Sequence, residues 1–516
     1  MKIPHWLIEQ VIRRRLRRLD ELMRDPAAEQ QIALLSLVRR AASTEWGRRH
    51  GYNRIRSVRD FQVQVPMTRY EDMASIWHRS FEGTRNLTWP GHIPYFALTS
   101  GTTLGASKAM PISREAIRRN RAAGTSLLSF IQRQAPRARL VAGKTLYLGG
   151  CTTLERKGAC YQGDASGINA LHMPRITRSF RLPEPDISAL RNWEERVESI
   201  CQRYLQSPVR AVVGLPSWTL LMLHRLIEIA KERLGRQVEM VADIWPDFTV
   251  FVSFGMALAP YRNQLEELVG RPLVCIDTYS SSEGGLNAIQ TEQSDPGMQL
   301  EIDSGTFFEF VPLEEIDSPA PTRLSLNEVE VDKPYAILLS TVSGIWAYDV
   351  GDVVRFTSIK PPKIVFVTRK ALQLNTFGEH VLQEHLDNAM AETCRSLGIR
   401  VTDFTVTSVL PNSTDPRGCH RWLIEFEGST PALDSLQVDL DTGVAAASDD
   451  YASHRIGDFG MAAPEIVLLK QGTFFEWSKR GNKLGGQHKV PRIATSEKMI
   501  GDLLDLSESL RHDEGA

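Results

Sequence analysis

Apolar residues recur about every 3.6 positions through the first 45 residues, with few helix breakers between them. This spacing predicts a helical start. After "TEWGRRHGY" (44–52) the pattern becomes irregular, and short apolar runs then alternate with longer amphipathic ones. The change marks the beginning of a mixed α/β region.

The alternation is clearest between residues 210 and 281. "RAVVGLP" (210–216), "FTVFVSFG" (248–255) and "LVCIDTYSS" (273–281) have the composition of buried strands. Between them, residues 217–234 predict an amphipathic helix with Ser217 as N-cap and Gly235 as its stop, and residues 259–270 predict another. Strand–helix–strand order predicts an α/β domain with much parallel pairing.

From about residue 305 the pattern becomes that of short strands separated by turns. The strands are predicted at "TFFEFVPL" (306–313), "NEVEV" (327–331), "YAILLST" (335–341), "DVVRFTS" (352–358) and "KIVFVT" (363–368). We interpret them as a β-rich subdomain. A long helical pattern resumes at 380–398, followed by two strands and a helix near 431–448. We therefore place a domain boundary at Arg369, with a small α+β unit after it.

Composition narrows the function classes. The chain has 516 residues, 42% of them hydrophobic and 24% charged, and a formal net charge of −1. No global field favours nucleic acid or an anionic membrane, and no apolar run suggests stable membrane insertion. Six cysteines without CxxC spacing are typical of reduced thiols, so we expect a cytoplasmic protein. We interpret the basic run Arg13–Arg18 as the solvated face of a helix.

One stretch, "YFALTSGTTLGASKAMPIS" (95–113), combines glycines, small hydroxyls and a lysine. Gly101 and Gly105 would let the backbone approach a ligand closely, and Lys108 would add a compact positive charge. The hydroxyl donors are Thr99, Ser100, Thr102 and Thr103. Because polyphosphate oxygens require such groups, the stretch predicts a phosphate-binding loop.

The spacing differs from that of a P-loop motif. Three residues separate the two glycines, and Lys108 comes three residues after Gly105. The predicted context is a strand, a loop and then a helix starting near residue 113. A flexible surface turn is the alternative, because turns rich in Gly, Ser and Thr are common.

Two later stretches support nucleotide binding. In "IDTYSSSEGGLNAI" (276–289), Tyr279 and Glu283 are predicted just beyond a strand end, where α/β sheets commonly bind ligands. An aromatic ring can stack on a purine, and a carboxylate can hold Mg²⁺ that bridges phosphates. In "GIWAYDVGDVVRF" (344–356), Asp352 follows Gly351 at the predicted entry to a strand and could accept hydrogen bonds from ribose hydroxyls. The structural alternative for Tyr279 is an aromatic residue of the core, and the alternative for Asp352 is a residue that caps a turn.

The ordered set of motifs resembles the adenylate-forming enzymes, and among them the acyl acid–amido synthetases of the Gretchen Hagen (auxin-responsive) type, bacterial branch. The resemblance is carried by residues 99–113, 245–270, 277–288, 348–358 and 483–493 ("KLGGQHKVPRI") and runs nearly end to end. It implies a large N-terminal adenylation domain over 1–368, with parallel β/α layers and a β-rich subdomain. A small mobile α+β C-terminal domain would cover 369–516.

The resemblance also implies a two-step reaction that uses ATP and Mg²⁺. A carboxylate would attack the α-phosphate of ATP, giving an acyl-adenylate and pyrophosphate. After rotation of the small domain, an amine, usually of an amino acid, would attack the acyl carbon and expel AMP. The expected partners are therefore a small carboxylic acid and an amine, and the expected state is a monomer.

Roles for individual residues follow from the same resemblance. The expected catalytic residues are Lys108, Glu283 and Lys489, with Glu283 also reaching Mg²⁺. Phosphates would be held by Thr99, Ser100, Gly101, Thr102, Thr103, Gly105 and Lys108; adenine would lie between Gly255 and Tyr279, ribose on Asp352, and the hinge at Arg369. Trp218 and Met222 could line an acyl pocket; the alternative is that they belong to the apolar face of the 217–234 helix and pack in the core.

Two positions depart from the family pattern, and two other functions stay open. Thr368 stands where a hinge glycine is common, and Ala347 where many relatives carry Arg or Gly. The first alternative function is an adenylating ligase with a thiol or other acceptor. The second is a nucleotide-binding interaction protein without catalysis, associated with lipid through the basic helix.

Overall fold

The described residues of this computed structural model are 5–98, 108–174, 177, 179–235, 237–316, 318–369, 373–374, 376–377, 379, 381–410, 418–428, 431–455, 461–481, 484, 489–494 and 496–513. Within them, helices α1 to α16 span His5–Leu22, Pro26–Ala41, Glu45–Arg49, Val58–Gln64, Tyr70–His78, Arg114–Gln134, Ala165–Leu171, Pro185–Ser188, Trp193–Arg203, Pro216–Leu234, Arg262–Val269, Gln383–Leu397, Leu433–Ala447, Asp449–Arg455, Thr473–Arg480 and Glu497–Asp513.

Strands β1 to β20 span Tyr95–Leu98, Ala109–Ile112, Lys144–Tyr147, Glu155–Lys157, Cys160–Gly163, Arg181–Leu182, Val209–Gly214, Val250–Phe254, Val274–Ser281, Gly285–Gln290, Met298–Leu300, Thr306–Pro312, Pro334–Thr341, Ile345–Ile359, Pro362–Arg369, Gln373–Leu374, Val381–Leu382, Arg400–Val409, Cys419–Glu427 and Glu465–Leu468. The predicted α/β class and the predicted helical start are both confirmed.

One eleven-stranded sheet organises the larger part of the chain, in the order β12-β13-β14-β15-β11-β10-β9-β8-β7-β3-β6. The strands from β6 to β9 pair in parallel, and those from β9 to β12 pair antiparallel. The predicted parallel layer and the predicted β-rich region are thus two halves of one sheet. A separate sheet has the order β2-β1-β5-β4.

Helices cover both faces of the parallel half because neighbouring strand residues point in opposite directions. Val212 and Phe251 pack with α9, α10 and α11 on one face. Ala211 and Val250, one position earlier in each strand, pack with α1 and α6 on the other. Since both faces are buried, the strands are apolar throughout, as parallel strands usually are.

Helix α10 begins one residue earlier than predicted. Leu215 occupies its N-cap position without a side-chain hydrogen bond, and Pro216 is the first helical residue, so Ser217 is not the cap. Proline suits this position because its fixed φ matches the helix and its missing N–H would have no helical partner. Gly235 ends the helix at φ +59°, as predicted.

Two further details differ from the sequence-based prediction. Lys108 leads into strand β2, which pairs antiparallel with β1, so a strand stands between the glycine-rich loop and α6. The strand predicted at "NEVEV" (327–331) is wrong: within this segment only Val331 pairs, in an isolated β-bridge with Phe356.

The chain after Arg369 has its own apolar core, in which α12 and α13 pack on β18 and β19. Strand β20 pairs in parallel with β19, and α15 and α16 pack nearby. A domain boundary at 368/369 stays a prediction. All six cysteines are free thiols, as expected. Among the described helices, each is too short or too polar to span a bilayer.

Candidate active site

Gly255 and Lys489, separately predicted to serve the nucleotide, lie in contact. Gly255 follows β8 at φ +78°, and a Cβ there would lie 3.1 Å from Leu215 Cδ2. The positive φ favours glycine, and the missing side chain keeps the backbone accessible. The ammonium of Lys489 donates to the Gly255 carbonyl across 234 positions of sequence. This contact brings a cation from the C-terminal part to the edge of the parallel sheet.

Tyr279 and Asp352 form the second contact. The Tyr279 hydroxyl donates to Asp352 Oδ2 at 2.8 Å, and the two residues are 6% and 3% exposed. Tyr279 lies inside β9 rather than beyond its end, and Asp352 lies inside β14 rather than at its entry. A Cβ on the neighbouring Gly351 would have no atom within 4 Å, so the backbone next to Asp352 is open on the side that Gly351 presents.

Lys108 lies at the edge of this region, directly before β2. Its Nζ is 3.9 Å from Glu71 Oε1 and 5.4 Å from the centroid of the Tyr70 ring. The Tyr70 hydroxyl also accepts a hydrogen bond from Ala109 N at 3.1 Å. Glu71 and Tyr70 belong to "TRYEDM" (68–73) and were not predicted as site residues. They fix where the Lys108 side chain can lie.

Tyr348 lies near both Glu283 and Glu71, the partner of Lys108. Burial raises the pKa of Tyr348 far above its ordinary value, and the nearby charges of Glu283 and Glu71 raise it further. Glu283 occupies the turn between β9 and β10 and is partly exposed. The predicted metal ligand therefore lies near the same buried ring as the carboxylate that pairs with Lys108. Because its pKa is raised, the Tyr348 hydroxyl stays neutral beside these negative groups.

Several predicted residues lie outside the described residues: Thr99, Ser100, Gly101, Thr102, Thr103 and Gly105. The backbone of Arg369 pairs with Asp352 across β14 and β15. Thr368, the unusual hinge residue, is 1% exposed, and its Oγ1 accepts from Gln383 N at 3.5 Å. The predicted hinge thus begins next to the predicted ribose site.

The two candidate acyl-pocket residues lie in the core of the parallel half. Met222 is 0% exposed and Trp218 is 7% exposed. The Trp218 ring lies 5.5 Å from Trp193 and 6.2 Å from Phe475, between ring centroids. Acyl binding by this pair stays a prediction, and in this conformation Met222 offers no surface to a ligand.

A buried ionic cluster joins the two parts of the chain next to Lys489. Arg492 donates to Asp387 Oδ1 at 2.9 Å, pairs closely with Asp403, and donates to the Tyr261 hydroxyl at 2.7 Å. The guanidinium also lies 4.2 Å from the Phe404 ring centroid. Tyr261 belongs to the larger part and the other four residues to the C-terminal part. The cluster therefore fixes where the segment carrying Lys489 docks.

Three models of one protein family match successive segments of the chain. Residues 15–162 match the GH3 family N-terminal domain, residues 300–369 the GH3 family central domain, and residues 384–498 the GH3 family C-terminal domain. Together these segments cover more than half of the sequence. The chain belongs to the GH3 family. The family resemblance of the motifs is thereby confirmed.

Full-length relatives in this GH3 family carry amido synthetase names. The chain is 25% identical to an indole-3-acetic acid-amido synthetase of Oryza sativa subsp. indica, over 95% of this chain and 92% of the relative. It is 23% identical to a jasmonoyl–L-amino acid synthetase of Nicotiana attenuata, over 92% of each. The GH3 likeness therefore extends along the whole length of both sequences.

Solved structures show the same fold. An acyl acid amido synthetase in complex with 2,4-DB covers 98% of this chain and 97% of its own, with a TM-score of 0.77 and 19% identity. A 2-hydroxyisobutyryl-CoA ligase in the postadenylation state has a TM-score of 0.56 and 13% identity. The GH3 chain therefore has the architecture of adenylate-forming enzymes, and the predicted fold class is confirmed.

Proposed function

We propose that this protein is an ATP-dependent acyl acid–amido synthetase. The carboxylate of an acyl acid attacks the α-phosphorus of ATP and pyrophosphate leaves. The amine of an amino acid then attacks the acyl carbon, and AMP leaves with the electron pair of the acyl–phosphate bond. Carboxylate and triphosphate repel each other, so the protein mainly positions them and neutralises charge.

The contact between Lys489 and Gly255 carries this proposal. It brings the ammonium of a lysine from the C-terminal part to a loop at the edge of a parallel sheet, where ligands of α/β proteins bind. Placed there, its ammonium can neutralise charge on the reacting phosphate or carboxylate. Family membership and the full-length relatives support the same reaction.

The described residues fit a nucleotide. The carboxylate of Asp352 accepts a hydrogen bond from Tyr279, and a carboxylate is a group that can accept hydrogen bonds from ribose hydroxyls. Gly255 provides close backbone approach for adenine. The loop 99–107, with Lys108 at its end, would hold the phosphates.

Mg²⁺ belongs to the same proposal. Glu283 supplies one carboxylate, and no cluster of three or more metal-ligating side chains occurs in the described part of the chain. Such a set suits Mg²⁺, which is commonly held by one or two carboxylates, substrate phosphates and water. The ion would neutralise phosphate charge, and Glu283 would orient it.

The test is ATP–pyrophosphate exchange over a panel of aryl, indolyl and fatty acids, followed by mass spectrometry with pooled amino acids. Acid-dependent exchange with an amide product supports the proposal. Exchange without an amide favours a thiol or another acceptor. No exchange with any acid, while ATP still binds, contradicts it and favours a non-catalytic nucleotide-binding protein.

Lys489→Ala tests the observation on which the proposal rests. We expect exchange to fall by about 100-fold or more, as when a positioned electrostatic group is removed. Lys479→Ala is the matched control, because Lys479 lies in the same part of the chain and pairs with Glu194 at 2.8 Å on the surface. Equal activity of the two variants would remove Lys489 from the site.

A further inference from the structure

A cavity lies beside the candidate nucleotide site, at the end of β3. Its interior volume is about 10 Å³, and the empty space is about 270 Å³ when the open mouth is included. It is lined by Tyr147, Leu148, Gly149, Gly150, Thr152, Ala170, Arg181, Pro183, Ser188, Arg196 and Ile200. Two arginines line it, and no carboxylate does. Its lining is therefore electropositive, although the chain as a whole is nearly neutral.

Arg196 is the unusual residue of this cavity. It is 5% exposed, and no hydrogen bond or ion pair joins its guanidinium to any residue that the structure describes. The Arg196 Cζ lies 5.0 Å from the centroid of the Trp193 ring. Burial lowers the pKa of Arg196, and the charges of Asp164 and Cys151 act against this. A buried cation without a bonded anion is costly, often by several kcal/mol.

The carboxylate near Arg196 is engaged elsewhere. Asp164 caps α7: its Oδ1 accepts from Ser166 N at 2.7 Å, Gly167 N at 3.1 Å and Ser166 Oγ at 2.5 Å. Arg196 is also the fourth residue of α9, near the helix end whose dipole disfavours a cation. Both facts leave the guanidinium without a directly bonded anion inside the protein. An anion from outside would supply it.

The other polar groups of the cavity suit a carboxylate. Arg181 donates from Nη1 to the Ala170 carbonyl at 2.8 Å, and its guanidinium lies 5.7 Å from the Tyr147 ring centroid. Burial raises the pKa of Tyr147 to about 12, so its hydroxyl stays protonated. The backbone passes close by at Gly149, where a Cβ would lie 2.4 Å from the Tyr147 ring.

The cavity is adjacent to the nucleotide side of the sheet. The rings of Tyr147 and Phe254 are stacked with centroids 6.4 Å apart, and Phe254 directly precedes Gly255, which Lys489 contacts. Strands β3, β7 and β8 are parallel neighbours, so their ends meet at one edge. A small molecule held by Arg196 would thus lie next to the place where the acyl-adenylate forms.

We propose that this cavity binds the α-carboxylate of the acceptor amino acid, with Arg196 as its principal partner. This inference rests on the proposed function and names the subsite of the second substrate. Holding the carboxylate there leaves the amine to face the adenylate. Arg196 would therefore select amino acids over simple amines, and the first half-reaction would not need it.

The experiment compares two acceptors of one adenylate. Hydroxylamine, which has no carboxylate, traps the acyl-adenylate as a hydroxamate; the amino acid gives the amide. In Arg196→Met we expect hydroxamate formation and pyrophosphate exchange to stay at wild-type rates. The KM for the amino acid should rise about 10- to 100-fold, the usual effect of losing a hydrogen bond to a charged group.

Arg203→Met is the matched control, because Arg203 lies on the same helix, α9, and pairs with Asp186 on the surface. It should leave the KM unchanged. An unchanged amino acid KM in Arg196→Met would overturn the proposal. A wild-type protein that forms no hydroxamate with any acid would contradict the proposed function itself, and this inference with it.

A measurement on the wild-type protein covers the case in which Arg196→Met fails to fold. The preferred amino acid and its primary amide are compared as acceptors. The proposal predicts that the amide derivative has a KM at least about tenfold higher, because it lacks the anion. Equal KM values would overturn it.

Discussion

Asp352 and Tyr279 are both buried, yet they retain a polar contact where two strands of the main sheet approach the site. The phenol supplies one hydrogen bond to the carboxylate. A carboxylate is a strong acceptor for donors such as hydroxyl groups. The pair is therefore the candidate contact for the ribose hydroxyls.

We predict that Asp352→Asn raises the KM for ATP about 10- to 100-fold, because it removes a charged hydrogen-bond acceptor while keeping the side-chain shape. The measurement is ATP–pyrophosphate exchange at several ATP concentrations. Glu330→Gln, an exposed carboxylate that pairs with Lys333, is the control and should have no effect. An unchanged KM in Asp352→Asn would remove the ribose assignment.

Tyr279 and Asp352 were singled out from their motifs, and Gly255 and Lys489 from the family resemblance; their roles stay predictions. The structure adds the contacts between them, because periodicity does not show which side chains meet. Arg196 was not recognised at all, because "NWEERVES" has the composition of an ordinary helix start. Its isolation in a cavity depends on three-dimensional packing.

Among the elements, strands and helices with strong periodicity were predicted correctly, and short ones were not. Strand β2 has only four residues and contains Pro111, and proline is rare in strands, so the sequence did not predict it. The strand lies at the edge of its sheet, where the missing N–H of proline is tolerated. "NEVEV" alternates as a strand does, yet Val331 is 44% exposed and Asp332 takes a φ of +64°. The chain turns there instead of pairing.

Helix α1 is anchored to the sheet by charge as well as by apolar packing. Arg15 donates to Asp303 Oδ2 at 2.7 Å and to Glu301 Oε2 at 3.3 Å, and Glu301 also accepts from Ser126 of α6 at 2.9 Å. Glu301 is 1% exposed. Burial raises its pKa to about 7, despite the opposing charge of Arg15.

This shift predicts a pH dependence of stability. Since the pKa of Glu301 is higher in the folded state than in the unfolded state, folding is favoured when the group is protonated. Its contribution is complete below the unfolded pKa of about 4.5 and is lost as pH rises through about 7. The slope is at most about 1.4 kcal/mol per pH unit.

Glu301→Gln should therefore lose less stability than the wild type between pH 5 and pH 8, as measured by urea unfolding. Glu21→Gln, at an exposed position near the end of α1, is the control and should follow the wild-type curve. Parallel curves for Glu301→Gln and the wild type would show that this carboxyl does not titrate in the interval.

At the scale of the whole molecule, the C-terminal part docks on the larger part through a few ionic and polar contacts. Arg492 pairs with the carboxylates of Asp387 and Asp403 within the C-terminal part. It also donates a hydrogen bond to the Tyr261 hydroxyl of the larger part. On the surface, Arg355 pairs with Glu384 at 2.7 Å. No sequence pattern predicts such pairs, because the partners are far apart in the chain and belong to unrelated motifs.

We predict that Tyr261→Phe weakens this docking without unfolding either part. A hydrogen bond to a charged group is worth about 1.5–3 kcal/mol, so exchange, which uses Lys489 at Gly255, should fall about tenfold or more. Protease cleavage near residue 369 should become faster. Tyr451→Phe is the control, because its hydroxyl bonds to Asp441 at 2.7 Å within the C-terminal part. Identical behaviour of the two variants would contradict the prediction.

The long sequence separation of Lys489 and Gly255 has a consequence for the newly made protein. At about 5–20 residues per second, a ribosome needs roughly 12 to 47 s to cover the 234 positions between them. Throughout that time the nascent chain has the glycine-lined edge of its sheet but not the lysine that meets it. Conjugating activity should therefore arise only after the segment that carries Lys489 has been made, and chains terminated before Lys489 should bind nucleotide without turning it over.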